Sequence, residues 1–197
     1  MKSLVPSGHF GNSSDNIYYV KNFVKKNHIN LIYEYSKNIK SFNGPQDSDI
    51  WKDRVCYGNQ IEKENKEVFD ITNLYLKKSK IFIENAFSLS LKPAYSSIVV
   101  WNVGDNQPPH ADKEHPDGSP NGTPFYDISS LIYINDNFDG GSIYFPNQNL
   151  EIQPSPGDFV CFPGDKEYMH GVKEITNGKR FTIPMFFTVE NKKNNSY

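Results

Sequence analysis

The spacing of apolar positions changes period near the middle of the chain. Between residues 24 and 39, Val24, His28, Leu31, Ile32, Tyr35 and Ile39 recur at intervals that place them near one helical face. A second helical pattern runs over residues 62–87, carried by Val68, Ile71, Tyr75 and Phe82. Residues 16–20 predict a short strand, and residues 41–49 (SFNGPQDSD) predict a loop. After Pro93 the period falls to two. Residues 96–103 (SSIVVWNV) are β-branched and aromatic, which predicts a strand. A loop rich in Pro, Gly and Asp follows over residues 104–124. Further strands are predicted at 126–134, 142–145, 150–153, 158–162, 168–175 and 179–189. Asp139-Gly140-Gly141, Pro156-Gly157, Pro163-Gly164 and Asn177-Gly178 supply the turns between them. Two helices followed by many short strands predict an α+β chain, mainly β: a sandwich or jelly-roll barrel with two N-terminal helices packed on one sheet.

The 197 residues suit a single domain over 1–197, with a helical support at 16–90 and a barrel core at 91–189. The polar tails, 1–14 and 190–197, are expected to fray. The net charge of −2 argues against a strongly cationic nucleic-acid or membrane-surface binder. Two cysteines, Cys56 and Cys161, cannot form a disulfide framework, and no segment reads as a signal peptide or membrane span. A cytoplasmic location is the expectation. Of the 21 basic residues only Arg54 and Arg180 are arginines, so a guanidinium is used sparingly.

The chemistry concentrates in a few strand positions. His110-Ala111-Asp112 in an extended chain points an imidazole and a carboxylate to the same side. Pro108, Pro109 and Pro116 argue against a helix there. His170 lies on a later predicted strand. Two histidines and one carboxylate on one face form the ligand set of non-haem Fe(II) oxygenases, which leaves other metal positions open. Arg180 and Thr182 alternate onto one face of the last strand, where a guanidinium and a hydroxyl can take a distant carboxylate. A 2-oxo acid that chelates the metal and anchors its far carboxylate fits both features.

The motif order also resembles a known family. Trp101-Asn102-Val103-Gly104 with Pro109-His110-Ala111-Asp112 comes first. Leu131-Ile132-Tyr133-Ile134-Asn135 and Gly140-Gly141-Ser142-Ile143-Tyr144-Phe145-Pro146 come next. Pro154-Ser155-Pro156-Gly157-Asp158 with Phe162, then His170-Gly171-Val172 with Gly178-Lys179-Arg180-Phe181-Thr182, complete the order. Together, over about residues 95–188, these resemble the prolyl 4-hydroxylase-like branch of the 2-oxoglutarate/Fe(II)-dependent dioxygenases. The resemblance implies a double-stranded β-helix (jelly-roll) core. It implies Fe(II) on His110, Asp112 and His170, with 2-oxoglutarate and O₂ as co-substrates. Arg180 would take the distal carboxylate, with Tyr133 and Thr182 as hydrogen-bonding helpers. Trp101 would line the same pocket, where the family usually has Tyr; an indole donates but cannot accept a hydrogen bond. Arg180 stands where collagen-type enzymes usually have Lys. Ascorbate use is a further family expectation.

The implied reaction hydroxylates prolyl residues of a peptide or protein while 2-oxoglutarate is decarboxylated to succinate. Alternatives are the same chemistry on a free amino acid or small metabolite, and a non-catalytic jelly-roll binding or structural module. A nucleic-acid demethylase is disfavoured, because that branch carries a second Arg six residues on, where this chain has Phe186. His115 reads as a surface-loop residue, Cys161 as a buried hydrophobe, and Arg54 as either a substrate contact or a surface ion pair. The spacing leaves the substrate and the oligomeric state open.

Overall fold

A computed structural model describes residues 3–190. Its framework is two antiparallel sheets. The strands of the larger sheet are β1 (Tyr18–Val20), β2 (Val55–Tyr57), β3 (Leu91–Trp101), β5 (Ile128–Tyr133), β9 (Phe159–Pro163) and β12 (Arg180–Val189), in the order β1-β9-β5-β12-β3-β2. The smaller sheet has the order β4-β10-β7-β8, formed by β4 (Gln107–His110), β7 (Ile143–Phe145), β8 (Leu150–Ile152) and β10 (His170–Val172). A ribbon of β6 (Phe138–Gly140) and β11 (Ile175–Gly178) extends it. This is the expected jelly-roll arrangement with helices on one sheet.

Period-two alternation divides every long strand between two environments. Ile98 and Val100, Ile132 and Ile134, Phe159 and Cys161, and Phe181, Ile183 and Met185 form one core cluster. They share it with Ile29 and Ile32 of α1 (Lys26–Lys37) and Val68, Ile71, Tyr75 and Ile83 of α3 (Lys66–Phe87). The alternate positions Trp101, Tyr133, Val160, Phe162, Arg180 and Thr182 face the barrel interior, among other buried groups. The helices therefore seal the outer face of the larger sheet, and the inner face is left for chemistry.

Several expectations are corrected. The helical pattern over 62–87 is interrupted at Asn65, whose side chain accepts from the Val68 N–H at 3.1 Å and caps α3. The residues before it form a separate short helix, α2 (Gly58–Glu64). The inward residue of α1 is Ile29 rather than His28, whose Nδ1 lies 3.0 Å from the Tyr75 hydroxyl. The loop over 104–124 contains β4, and the strand over 168–175 is two strands, β10 and β11. Asn177-Gly178 is not the turn; it pairs with β6 through Asp139 and Phe138.

Residues 3–14 are not frayed, and residues 1–2 of the expected tail lie outside the described residues. Val5 is buried, Ser7 donates to Glu114 at 2.7 Å, and the Gly8 N–H donates to Asp165 at 3.1 Å. The expectation of a frayed end over residues 191–197 lies outside the described residues. Among the described residues no helix is long and apolar enough to cross a membrane.

Asp165 yields a test of this packing. Burial raises its carboxyl from 3.8 to about 6; Glu114 adds to the rise, while the Gly8 N–H and Lys113 oppose it. A pKa raised in the folded state contributes stability at low pH that is lost as pH rises through about 6. Asp165→Asn, neutral throughout, is expected to gain melting temperature relative to the parent as pH rises from about 4 to about 6, and to keep a constant advantage above that. Thermal unfolding across that range checks this, and a pH-independent difference between the two proteins contradicts it.

Candidate metal centre and carboxylate pocket

The register of the smaller sheet sets His110 directly opposite His170, on β4 and β10. Their ring centroids are 4.4 Å apart. Asp112 follows two residues after His110, and its carboxylate reaches both rings: Oδ1 is 3.5 Å from His110 Nε2 and Oδ2 is 3.6 Å from His170 Nε2. One ligand atom from each of the three lies within 4.8 Å of the others. Each imidazole is turned by its own backbone. His110 Nδ1 is 3.0 Å from the Pro108 carbonyl, and His170 Nδ1 is 3.2 Å from the Tyr168 carbonyl. Those contacts place the hydrogen on Nδ1 and leave Nε2 as the inward donor, the tautomer a metal requires.

The three groups also tune one another. Burial alone would raise the Asp112 carboxyl, but His170, His110 and the Ser129 hydroxyl outweigh it and hold the group at about 2. Burial, reinforced by the neighbouring His110, lowers His170 to about 4. Asp112 is thus an anion and His170 a neutral ring at neutral pH, which is the state a divalent cation takes up.

Two residues not anticipated from the sequence support this cluster. Ser129 of β5 donates to Asp112 Oδ2 at 2.5 Å, and Gln107 Nε2 lies 3.1 Å from His110 Nε2. The one available signal was the serine pair Ser129-Ser130 in an otherwise apolar strand. Gly171, beside His170, has no room for a side chain: a Cβ there would lie 2.6 Å from the Tyr144 hydroxyl and 2.7 Å from the Gln107 carbonyl.

Deeper in the same barrel lies Arg180. It pairs in register with Trp101 of β3, and Thr182 pairs with Tyr133 of β5. Its guanidinium carbon is 5.1 Å from the Tyr133 ring centroid and 5.8 Å from that of Trp101. Arg180 is 0% exposed, yet Nε, Nη1 and Nη2 all lack a hydrogen-bond partner. The buried Tyr133 hydroxyl lacks one too. Asn135 holds the strand start in place, donating to the Lys179 carbonyl at 2.7 Å and accepting from the Phe181 N–H at 2.8 Å. Gly141, at φ +66°, lets the β6–β7 turn close over the arginine: a Cβ would come within 3.0 Å of Arg180 Cδ.

The inner cavity is lined by His110, Asp112, His170, Trp101, Arg180 and Thr182. Tyr133 sits beneath the arginine and is not part of that wall. An outer cavity of about 390 Å³ opens beside His110 and Asp112, walled by Trp51, Tyr57, Tyr95, Tyr126 and Phe186. Arg54 does not reach either cavity wall; it pairs with Asp105 at 2.6 Å and lies 5.1 Å from the Trp101 ring. His115 is exposed and Cys161 buried, as expected.

The family model of the 2OG-Fe(II) oxygenase superfamily matches residues 96–188, which carry most of the barrel and all three converging ligand atoms. Curated relatives that match part of the chain include prolyl hydroxylases. Over 71 residues the chain is 39% identical to prolyl 3-hydroxylase 1 of Gallus gallus and 37% identical to prolyl 3-hydroxylase 2 of Mus musculus. Each match covers 34% of this chain and 10% of the relative, so the matched region is about a tenth of those proteins.

Among solved structures, a Pseudomonas putida prolyl-4-hydroxylase matches with a TM-score of 0.68 at 16% identity, over 89% of this chain and 94% of that one. A prolyl hydroxylase from Trichoplax adhaerens, in complex with a hypoxia inducible factor peptide fragment, matches with a TM-score of 0.65 at 15% identity. That match covers 89% of this chain and 84% of the other. These structures establish the shared fold.

Fe(II), 2-oxoglutarate and O₂ are the reactants of this superfamily, and the residues present fit them. The triad offers one carboxylate and two inward nitrogens. The guanidinium of Arg180, which has no hydrogen-bond partner of good geometry among the described residues and lines the cavity, suits a buried carboxylate terminus.

An uncompensated buried charge costs stability. Arg180→Met, close in volume and without charge, is therefore expected to raise the melting temperature by several degrees in the absence of co-substrate. The same variant should show little further rise on adding 2-oxoglutarate with a divalent metal, whereas the parent should show a clear one. Differential scanning calorimetry checks both. A variant less stable than the parent without co-substrate would contradict the reading of the arginine as uncompensated.

Proposed function

We propose that this chain is an Fe(II)- and 2-oxoglutarate-dependent dioxygenase that hydroxylates prolyl residues of a peptide or protein and releases succinate. The observation that carries the co-substrate is Arg180, a buried guanidinium with no partner on the same inner surface as the triad. His110, Asp112 and His170 hold the metal. Arg180 and Thr182 take the distal carboxylate of 2-oxoglutarate, and Tyr133 and Trp101 form the aromatic faces against which the guanidinium rests. Bound together, Fe(II), 2-oxoglutarate and O₂ supply an oxidant strong enough to hydroxylate an unactivated C–H bond, with loss of CO₂. The protein's share is to orient the reactants and exclude water.

The outer cavity selects the substrate. Its wall combines aromatic and apolar groups with the neutral polar Ser97, Gln107, Asn121 and Thr123, and apart from Asp112 and His110 it presents no ionisable group other than tyrosine hydroxyls. A free amino acid would bring an ammonium and a carboxylate into it, and the carboxylate would find no cation there. A prolyl residue within a peptide brings neither. The absence of Lys and Arg from this wall also disfavours a nucleic acid. The two free, buried cysteines are consistent with a reducing compartment, in keeping with a cytoplasmic location. Ascorbate remains a family expectation.

Anaerobic titration with Fe(II) and then 2-oxoglutarate should produce the visible charge-transfer band of the chelate, and His110→Ala should abolish it. Incubation with proline-containing peptides in air should then give succinate and a product heavier by one oxygen. Amino-acid analysis of that product reports whether carbon 3 or carbon 4 of the ring is attacked. Turnover of free proline in preference to every peptide would overturn the substrate class. A chain that binds metal but gives no band with 2-oxoglutarate would overturn the reaction.

A further inference from the structure

Behind the metal centre lies a buried charged cluster that the proposed reaction does not use. In the bend just past β4, Asp112 lines the inner cavity, while its neighbour Lys113 lies outside that wall and reaches the N-terminal segment. Lys113 is only 5% exposed and Asp127, its partner at 3.2 Å, is 1% exposed. An ammonium has three hydrogens to place. Lys113 places one on Asp127 Oδ1, one on the Val5 carbonyl at 2.8 Å and one on the Ser3 hydroxyl at 3.3 Å. Two of its three acceptors therefore come from the N-terminal segment. Without them the ammonium would be buried with one partner, an expensive state.

The same segment reaches both loops that carry metal ligands. Ser7 donates to Glu114 Oε1 at 2.7 Å, two residues after Asp112. The same Glu114 oxygen accepts from the Lys166 N–H at 2.8 Å, in the loop that leads to His170. The Gly8 N–H donates to Asp165 in that loop. The backbone closes the circuit. The N–H groups of Asp112 and Lys113 both donate to the Gly164 carbonyl, at 3.0 and 3.1 Å. The Gly164 N–H donates to the Asp127 carbonyl at 2.9 Å. Asp127 Oδ2 accepts from the Val189 N–H at 2.9 Å, at the end of β12. Asp127 also lies two residues before Ser129, which donates to the Asp112 carboxylate.

We propose that residues 3–8 form a positioning strap that acts through Lys113 to fix the Asp112 carboxylate, and so set the metal affinity of the triad. This rests on the metal-site reading above. Lys113 touches neither metal nor co-substrate; it holds the peptide unit from which a ligand projects. Partners bonded directly to a ligand typically alter metal affinity by about 10–100-fold when removed, and a group one step further out, as Lys113 is, is expected at the lower end of that range. The strap makes the metal centre depend on a segment more than 100 residues away in sequence, on the far side of the ligand loop.

The test is a titration of the full chain with Co(II) alone, followed by its visible ligand-field band, with melting temperature measured alongside. Two variants are compared with the parent: Lys113→Met, and the double variant Ser3→Ala/Ser7→Ala, which alters only the strap. Lys113→Met is expected to weaken Co(II) binding by about tenfold or more and to change the band, since the carboxylate no longer sits in a fixed place. The serine variant should weaken binding in the same direction by a smaller factor, at a temperature where it is fully folded.

A folded variant that melts earlier but binds Co(II) within twofold of the parent, with an unaltered band, assigns the strap a purely structural role and overturns the proposal. Should Lys113→Met fail to fold, the serine variant alone decides by the same criterion. A parent that binds no Co(II) would instead remove the metal-site reading, an outcome separable from a strap that fails.

Discussion

A single buried cation organises the interior of this barrel. Arg180 enters on an inward position of β12, the most extensively paired inner strand, and among the described residues it meets two aromatic faces but no anionic side chain. Burying a guanidinium in this way opposes folding, so the surrounding structure has to hold it. The apolar outer face of the same strand contributes that support. Phe181, Ile183 and Met185 pack beneath α1 and α3, and their burial fixes which side of β12 points inward. The Asn135 clasp on residues 179 and 181, and the close approach of Gly141, then leave the arginine little freedom to reach solvent. The fold thus holds a charge ready for an anionic partner, and stability is traded for binding.

The metal ligands follow a complementary logic. Their charges answer one another: an anionic carboxylate lies between two imidazoles whose outer nitrogens are committed to backbone carbonyls. Asp112 is held from several directions, by the Ser129 hydroxyl, the Gly164 carbonyl and the Lys113 network. The triad and Arg180 line one cavity. Under the proposed function, a co-substrate with a chelating end and a distant carboxylate would engage a metal on the triad and Arg180 at once. The outer cavity would then present the substrate's C–H bond to that metal.

Much of this was legible along the chain because it depends on local rules. The two-residue period places His110 with Asp112 and Arg180 with Thr182, and the change from helical to strand spacing near Pro93 separates the support from the barrel. What escaped depends on partners distant in sequence. Ser129 reads as one more strand residue until it meets Asp112 across the barrel. The N-terminal residues look like a polar tail because their acceptors and donors lie at Lys113, Glu114, Asp127 and Asp165. The long apolar period over 62–87 hid the break between α2 and α3, where Asn65 caps the second helix. Tyr133 shares the strand face expected for a pocket residue, yet lies under the arginine and outside the cavity wall.

The most direct test of the central claim compares 2-oxoglutarate with pyruvate, which keeps the chelating 2-oxo acid and lacks the distal carboxylate. Anaerobic calorimetric titration of the Fe(II)-loaded protein measures both affinities. If Arg180 is held for that carboxylate, 2-oxoglutarate should bind about 100-fold or more tightly than pyruvate, the difference expected for a charge-assisted, two-pronged contact in a buried site. Equal affinity for the two acids would contradict the account, because the buried guanidinium would then contribute nothing to binding.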